Sequence, residues 1–316
     1  MPKSIKKPMK NSKDTSEEIT QKISMAIQTK GLTKNYLNGK VKALANLNLD
    51  VKEGEIFGFI GPNGAGKTTT IKLLLDLVRP TKGSVRIFGL DTIKSSIKIR
   101  QNIGFLPGEI YLPENMTGIK CIKYISGFKK NIDKKYLKSI IKKLGLDVNR
   151  KVGDYSKGNK QKLAIILAMM HKPKLLILDE PTSGLDPLNQ QTFYDLILEA
   201  KEWGATTFFS THILEEAEKT CDRVGIIKNG KLLRIENIED FRNKNIRNVY
   251  IETAEAIPLL KLRSAGVKKI ERVRNGYNLI TVGNNGDIIK RISKFNISDI
   301  KISEPSLEDI FMHYYK

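Results

Sequence analysis

Apolar residues fall into short runs separated by turn formers, and the period of those runs changes along the chain. Residues 26–51 break into strand-like pieces around Asn38-Gly39, a hairpin signal. Residues 57–60 form an apolar strand that crosses a glycine-rich turn into a helix running through 72–77. Residues 84–88 and 103–107 read as two further strands. From 115 to 146 the period lengthens to that of a helix, with Ile119, Ile122 and Ile125, then Leu137, Ile140, Ile141 and Leu144, which predicts a helical insertion between core strands. An apolar helix over 163–170 precedes 174–178, a short run of the kind buried on both faces in a parallel sheet. Residues 206–210 repeat that strand pattern and lead into a helix from Ile213. A second hairpin is expected where 224–227 and 231–235 flank Asn229-Gly230.

Beyond about Asn245 the pattern changes. A strand over 249–252, a helix over 256–265 and a hairpin of 267–273 with 278–282 across Asn275-Gly276 come first. A helix over 287–295, a strand over 297–302 and a capped helix over 306–315 follow. That βαββαβ order predicts a small split-βαβ accessory domain over 245–316, beside a main domain over 25–240 whose helical subdomain covers about 113–165.

Composition adds bounds. At 316 residues, 40% hydrophobic and 28% charged, the chain has ample material for one large domain or two modest ones. No window nears 18 consecutive apolar residues, so no membrane-spanning helix is expected. Residues 1–24 are polar and lysine-rich without an apolar h-region. They read as a disordered basic leader or an upstream start ahead of Met25, and less well as a membrane-touching arm, for which large apolar anchors are missing. Cys121 and Cys221 fit a reducing compartment and a packing role. The net charge of +21 permits nucleic acid or an anionic membrane as partner. Its lysines are spread along the whole chain, however, so charge alone selects neither.

The chemistry begins at the turn after the first core strand, which fits G-x-x-x-x-G-K-[ST] with Gly61, Gly66, Lys67 and Thr68. Glycines let successive backbone N–H groups wrap phosphate oxygens, and the helix that follows adds unpaired N–H groups and a positive dipole end. Lys67 can reach the β- and γ-phosphates, and the Thr68 hydroxyl can ligate Mg²⁺. Kinases, GTPases and transport ATPases share this loop. Asp179 and Glu180 end the apolar strand at 174–178, where open α/β sheets place their ligands. Asp179 suits a Mg²⁺ carboxylate, and Glu180 can polarise a water for attack on the γ-phosphate. His212, just past another strand end, can contact that phosphate, whereas His171 and His313 read as surface or packing residues. Taken alone, Ser156 is a helix N-cap and Tyr36 an ordinary strand tyrosine.

Together these positions resemble the ATP-binding subunit of an ABC transporter over roughly 26–235. Gly61, Pro62, Asn63, Gly64, Ala65, Gly66, Lys67, Thr68 and Thr69 look like its Walker A, and 175–180 like Walker B with the catalytic glutamate. Residues 183–186, ending in Asp186, look like the D-loop, and His212 like the switch histidine. Tyr36 stands where the family has its adenine-stacking aromatic. The resemblance implies an α/β P-loop NTPase fold: a RecA-like core with an antiparallel β subdomain and an inserted helical subdomain, plus the small C-terminal α+β domain. It also implies ATP and Mg²⁺, a homodimer that forms on ATP binding, and a separate integral membrane permease holding the chain at the inner face of the membrane. The tail, with Pro305 to Phe311, resembles the accessory domain of drug- and antibiotic-exporter ATPases, which implies export.

Two departures stand out. The family's LSGGQ reads Tyr155-Ser156-Lys157-Gly158-Asn159, which keeps Ser156 and Gly158 for the γ-phosphate held by the opposing copy. Gly108 replaces the Q-loop glutamine, so coupling is expected to run through the adjacent Glu109 or a water. The alternative is an ABC-type ATPase acting on nucleic acid or ribosomes. Chromosome-type ATPases carry a long coiled-coil insertion between the phosphate loop and the signature, and this span has no sustained heptads. Translation ATPases carry tandem cassettes, and here there is one phosphate loop. Nucleic acid is therefore not expected as a partner.

Overall fold

The computed structural model describes residues 24–129, 132–243, 246–263, 266–283 and 286–303. The first two long strands, β1 (Met25–Tyr36) and β2 (Val41–Lys52), form an antiparallel pair around a tight turn at Leu37–Gly39. Leu37 and Asn38 both take positive φ there, 51° and 52°. With β4 (Lys82–Ile87) and β5 (Leu90–Asp91) they make an antiparallel sheet in the order β2-β1-β4-β5.

The central sheet has six strands. Its parallel members are β3 (Ile56–Ile60), β6 (Ile103–Leu106), β7 (Leu175–Asp179), β8 (Thr206–Thr211) and β9 (Arg223–Lys228). The sixth, β10 (Lys231–Asn237), pairs antiparallel with β9, giving the order β10-β9-β3-β8-β7-β6. Lys228 pairs with Lys231, so Asn229 and Gly230 form a two-residue turn with φ of 49° and 73°. Positive φ at both positions is what a type I′ hairpin requires.

β3 and β7 are apolar on both faces, and β8, despite its threonines and Ser210, is buried throughout, because both faces of the sheet are covered. Phe57, Phe59, Leu175, Ile177 and Phe208 pack with the antiparallel sheet and with α1 (Lys67–Leu74). Ile56, Ile60, Leu176, Leu178 and Phe209 pack on the other side with α5 (Lys157–Met169) and α6 (Pro187–Glu202). Each large side chain so buried contributes roughly 1.5–3 kcal/mol. Beyond α2 (Ser96–Gln101), which precedes β6, the inserted helices α3 (Gly118–Ser126) and α4 (Lys134–Leu144) lie between β6 and β7, and their buried Cys121, Ile122, Tyr136, Ile140 and Leu144 join the second of these cores. Asp133 caps α4 by accepting from the N–H groups of Lys135 and Tyr136, and Gly145 ends it in the left-handed conformation at φ 58°.

The segment after β10 has its own core of Val249, Ile251, Leu262, Tyr277, Leu279, Ile288 and Ile292. Strands β11 (Ile246–Glu252), β12 (Val267–Val273), β13 (Gly276–Val282) and β14 (Asp299–Ser303) form an antiparallel sheet ordered β12-β13-β11-β14. Two expectations shift here. The helix expected over 256–265 contracts to Leu259–Leu262, because Pro258 starts it and Arg263 is already extended. The hairpin loop is Arg274-Asn275, since Gly276 already pairs with Val273. A Cβ at Gly276 would fall 1.9 Å from the Ile251 carbonyl oxygen, so glycine serves close strand approach there. The leader 1–23, His313 and the tail motif 305–311 lie outside the described residues.

Candidate functional site

Parallel register brings the expected residues to one edge. Ile60 pairs with Thr211 and Asp179 with Ser210, so the chain leaves β3, β7 and β8 at the same height, toward Gly61, Glu180 and His212. The Gly61 N–H donates to the Thr211 carbonyl at 3.3 Å, tying the phosphate-type loop to the strand before His212. The glycines are sterically required. A Cβ at Gly61 would sit 2.3 Å from the Ile227 carbonyl oxygen, and Gly66 combines φ 109° with the Ala43 carbonyl at 2.6 Å. Gly66 has no side chain to cap α1, so the first-turn N–H groups around Thr68 and Thr69 face the loop without a side-chain acceptor. Pro62, Asn63 and Gly64 are exposed, while Ala65 is buried beneath them.

Lys67 is 5% exposed. Its Nζ donates to the Gly61 carbonyl at 2.7 Å and the Pro62 carbonyl at 3.3 Å, and lies 3.4 Å from Glu180 Oε1. The same Oε1 stands 3.3 Å from His212 Nδ1. Glu180 adopts φ 46°, a left-handed conformation that costs a non-glycine residue on the order of 1 kcal/mol or more and concentrates at functional sites. Its N–H is fixed by the carbonyl and hydroxyl of Ser210, each at 3.2 Å.

Asp179 is buried, and its Oδ1 accepts from the Ser210 hydroxyl at 2.5 Å. Its other oxygen faces Gly108, where a Cβ would come within 3.2 Å. Gly108, not Glu109, therefore lies beside the strand-end carboxylate. Glu109 is exposed and accepts from the Tyr111 hydroxyl at 2.9 Å. Among the described residues no group of three His, Cys, Asp or Glu side chains could hold a metal by itself. The available donors, one threonine hydroxyl and one carboxylate, are hard oxygens of the kind Mg²⁺ uses beside substrate phosphates.

The other expected residues make their own local contacts. Ser156 is exposed and caps α5 by accepting from the Asn159 N–H at 3.3 Å. Gly158 packs on the turn at Gly184, where a Cβ would meet the Gly184 carbonyl at 2.9 Å. Asp186 is exposed and caps α6, with its two oxygens accepting from the backbone and side-chain nitrogens of Asn189. Those hydrogen bonds hold its carboxyl below the usual carboxylate range. Tyr36 ends β1, with the Lys34 ammonium 5.0 Å from its ring centroid.

Sequence reasoning passed over several groups. Gln161, 3% exposed, donates to the Pro181 carbonyl at 2.6 Å, and Ser210 grips both Asp179 and Glu180. A groove of about 350 Å³ runs beside β6, lined among others by Phe105, Tyr111, Leu167, Lys129 and His171. His171 is half-buried in that groove. Burial, with Lys129 second, pushes its pKa down to about 4, only partly offset by the Ile103 carbonyl at 3.1 Å from Nε2.

That shift has a stability consequence. With a folded pKa of about 4 against an ordinary 6.5, the unfolded chain gains a proton at mildly acid pH that the folded chain refuses. The stability His171 contributes is complete above 6.5 and is lost as pH falls toward 4. Urea titrations at pH 7.5 and 5 should show the natural chain losing about 2 kcal/mol more than His171→Asn over that step. Parallel losses in both proteins would refute the assignment.

The chain is similar to known proteins. The family pattern described as "ABC transporter" matches residues 44–183, and that described as "ATP-binding protein DrrA1-3-like, C-terminal domain" matches 237–315. The bacitracin transport ATP-binding protein BcrA of Bacillus licheniformis is 37% identical over 304 residues, covering 92% of this chain and 97% of its own. A probable multidrug ABC transporter ATP-binding protein, YbhF of Escherichia coli, is 37% identical over 221 residues, which span 68% of this chain and 38% of that one. Among solved structures, an ATP-binding subunit of an ABC transporter superposes with a TM-score of 0.64 at 30% identity, over 69% of this chain and 92% of the other. A dimeric ATP-binding cassette in a post-hydrolysis state, bound to ADP and Pi, superposes with a TM-score of 0.60 at 27% identity, over 67% of this chain and 98% of the other.

Proposed function

The chain belongs to the ATP-binding proteins of ABC transporters, P-loop ATPases that bind and hydrolyse ATP, and from that premise we propose that two copies drive export through a separate membrane permease. The observation that carries the reading is the meeting of Lys67, Glu180 and His212 at the mouth of the phosphate loop. Each copy holds ATP on Gly61–Thr69, with Tyr36 against the adenine. Ser156 and Gly158 of the opposing copy close over the γ-phosphate, and Asp186 lies at the seam. Exposure of Ser156 and Asp186 suits residues that serve a second copy, and a solved dimeric relative supports pairing.

Lys67 neutralises phosphate charge. Glu180 orients the attacking water and takes its proton, while His212, in contact with Glu180, steadies the carboxylate and faces the leaving phosphate. Thr68 and Asp179 are the residues to hold Mg²⁺, which supplies charge neutralisation of the phosphates. Loss of the phosphate opens the pair and moves the helical subdomain.

No helix among the described residues is long and apolar enough to cross a membrane, so translocation falls to a partner that places this chain at the inner membrane face. The apolar groove between β6 and the inserted helices suits a docking segment of that partner. The similarity to a bacitracin transport protein along nearly the whole chain favours a drug, an antibiotic or a lipid-like molecule as cargo. Full-length protein with Mg²⁺ and ATP should release phosphate steadily, and light scattering should show pairing. A chain that neither turns over ATP nor pairs would overturn the reading.

A further inference from the structure

Two threonine hydroxyls converge on a buried carboxylate that the scheme above leaves unused. Glu216 lies in the first turn of α7 (Leu214–Thr220) and is 3% exposed. Its Oε1 accepts from the Thr182 hydroxyl, and its Oε2 from the Thr211 hydroxyl at 2.5 Å. Burial, together with the charge of nearby Glu216, also pushes up the pKa of Tyr194 on α6.

The positions of the partners give this cluster its meaning. Thr182 follows Glu180 by two residues, and Thr211 immediately precedes His212. The Thr211 hydroxyl also accepts from the Ile213 N–H at 3.0 Å, so a single oxygen spans both flanks of His212. Between Glu180 and Thr182, the Pro181 carbonyl is pinned by Gln161. The two segments that carry the Glu180–His212 contact thus share one anchor beneath them. A buried carboxylate is costly to desolvate unless every lone pair finds a donor. An apolar residue would fill this space at lower cost, but could not grip two loops.

We infer that Glu216 is a positioning residue for hydrolysis, setting the spacing at which Glu180 and His212 meet. The inference rests on the reading of those two residues given above. Steady-state ATPase assays of the full-length chain test it, with Glu216→Gln, Thr211→Val and Thr211→Ser made alone and combined with His212→Ala. Glu216→Gln and Thr211→Val should each lower kcat by about tenfold or more with KM for ATP within about twofold, and Thr211→Ser should restore most of the rate. In the His212→Ala background, Glu216→Gln should cost less than about twofold further, because its effect passes through the missing imidazole.

A kcat for Glu216→Gln within about twofold of the natural chain, or losses that multiply with His212→Ala, would overturn the inference. If Glu216→Gln does not fold, the near-isosteric Thr211→Val decides by the same readings. A natural chain without turnover overturns the function reading itself, and this inference with it.

Discussion

Glutamine in place of Glu180 is expected to cut ATP turnover by about two to four orders of magnitude while leaving ATP bound. The substitution keeps the shape of the side chain and an oxygen for His212, which stands 3.3 Å away, but removes the group that accepts a proton from water. It also removes the negative charge 3.4 Å from the Lys67 ammonium, freeing that cation for phosphate, so affinity for ATP should hold or rise. If hydrolysis is what reopens the pair, Glu180→Gln with saturating Mg·ATP should elute from gel filtration as a stable dimer. A monomer under those conditions, or turnover within tenfold of the natural chain, would show that Glu180 is not the base.

Lys67→Ala should weaken ATP binding on the order of 100-fold, a loss typical of deleting one partner of a desolvated charge contact. The side chain is 5% exposed, and its ammonium is held over the loop by the Gly61 and Pro62 carbonyls, 3.4 Å from Glu180. Its removal leaves the Gly61 carbonyl short of a donor, while the Pro62 carbonyl keeps the Ala65 N–H at 3.1 Å, and that loss should lower stability by roughly 1–3 kcal/mol. Melting without nucleotide therefore has to be measured beside calorimetric ATP titration. A folded Lys67→Ala protein whose Kd for ATP moves less than about threefold would refute the phosphate clamp.

These two variants differ in what they separate. Lys67→Ala removes binding and with it every later step, whereas Glu180→Gln arrests the cycle after binding. Only the second should accumulate the paired state, and that contrast distinguishes loss of ligand from loss of chemistry.

Much of this was legible along the chain. The strand–turn–helix from β3 into α1, the apolar run of β7 and the Asn229-Gly230 turn were all foreseen, because each depends on backbone chemistry within a few residues. Glycine at 66 carries a conformational requirement, φ 109°, that the motif spacing implies, whereas glycine at 61 is demanded by the Ile227 carbonyl packed against it. The order of strand ends Gly61, Asp179–Glu180 and Thr211–His212 also implied one shared edge, once the runs were taken as parallel.

Other features were set only by the fold. Glu216 sits in an acidic stretch with Glu215 and Glu218, and nothing in its neighbours says that it alone is buried against Thr182, 34 positions away. The left-handed turn at Glu180, the Gly108 face beside Asp179 and the neutral His171 in its groove are likewise products of packing. Local sequence determines which backbone shapes a segment can take. Which polar atoms lose water, and which distant partners replace it, depends on sheet register and helix docking, because desolvation is a property of the assembled surroundings and not of the residue.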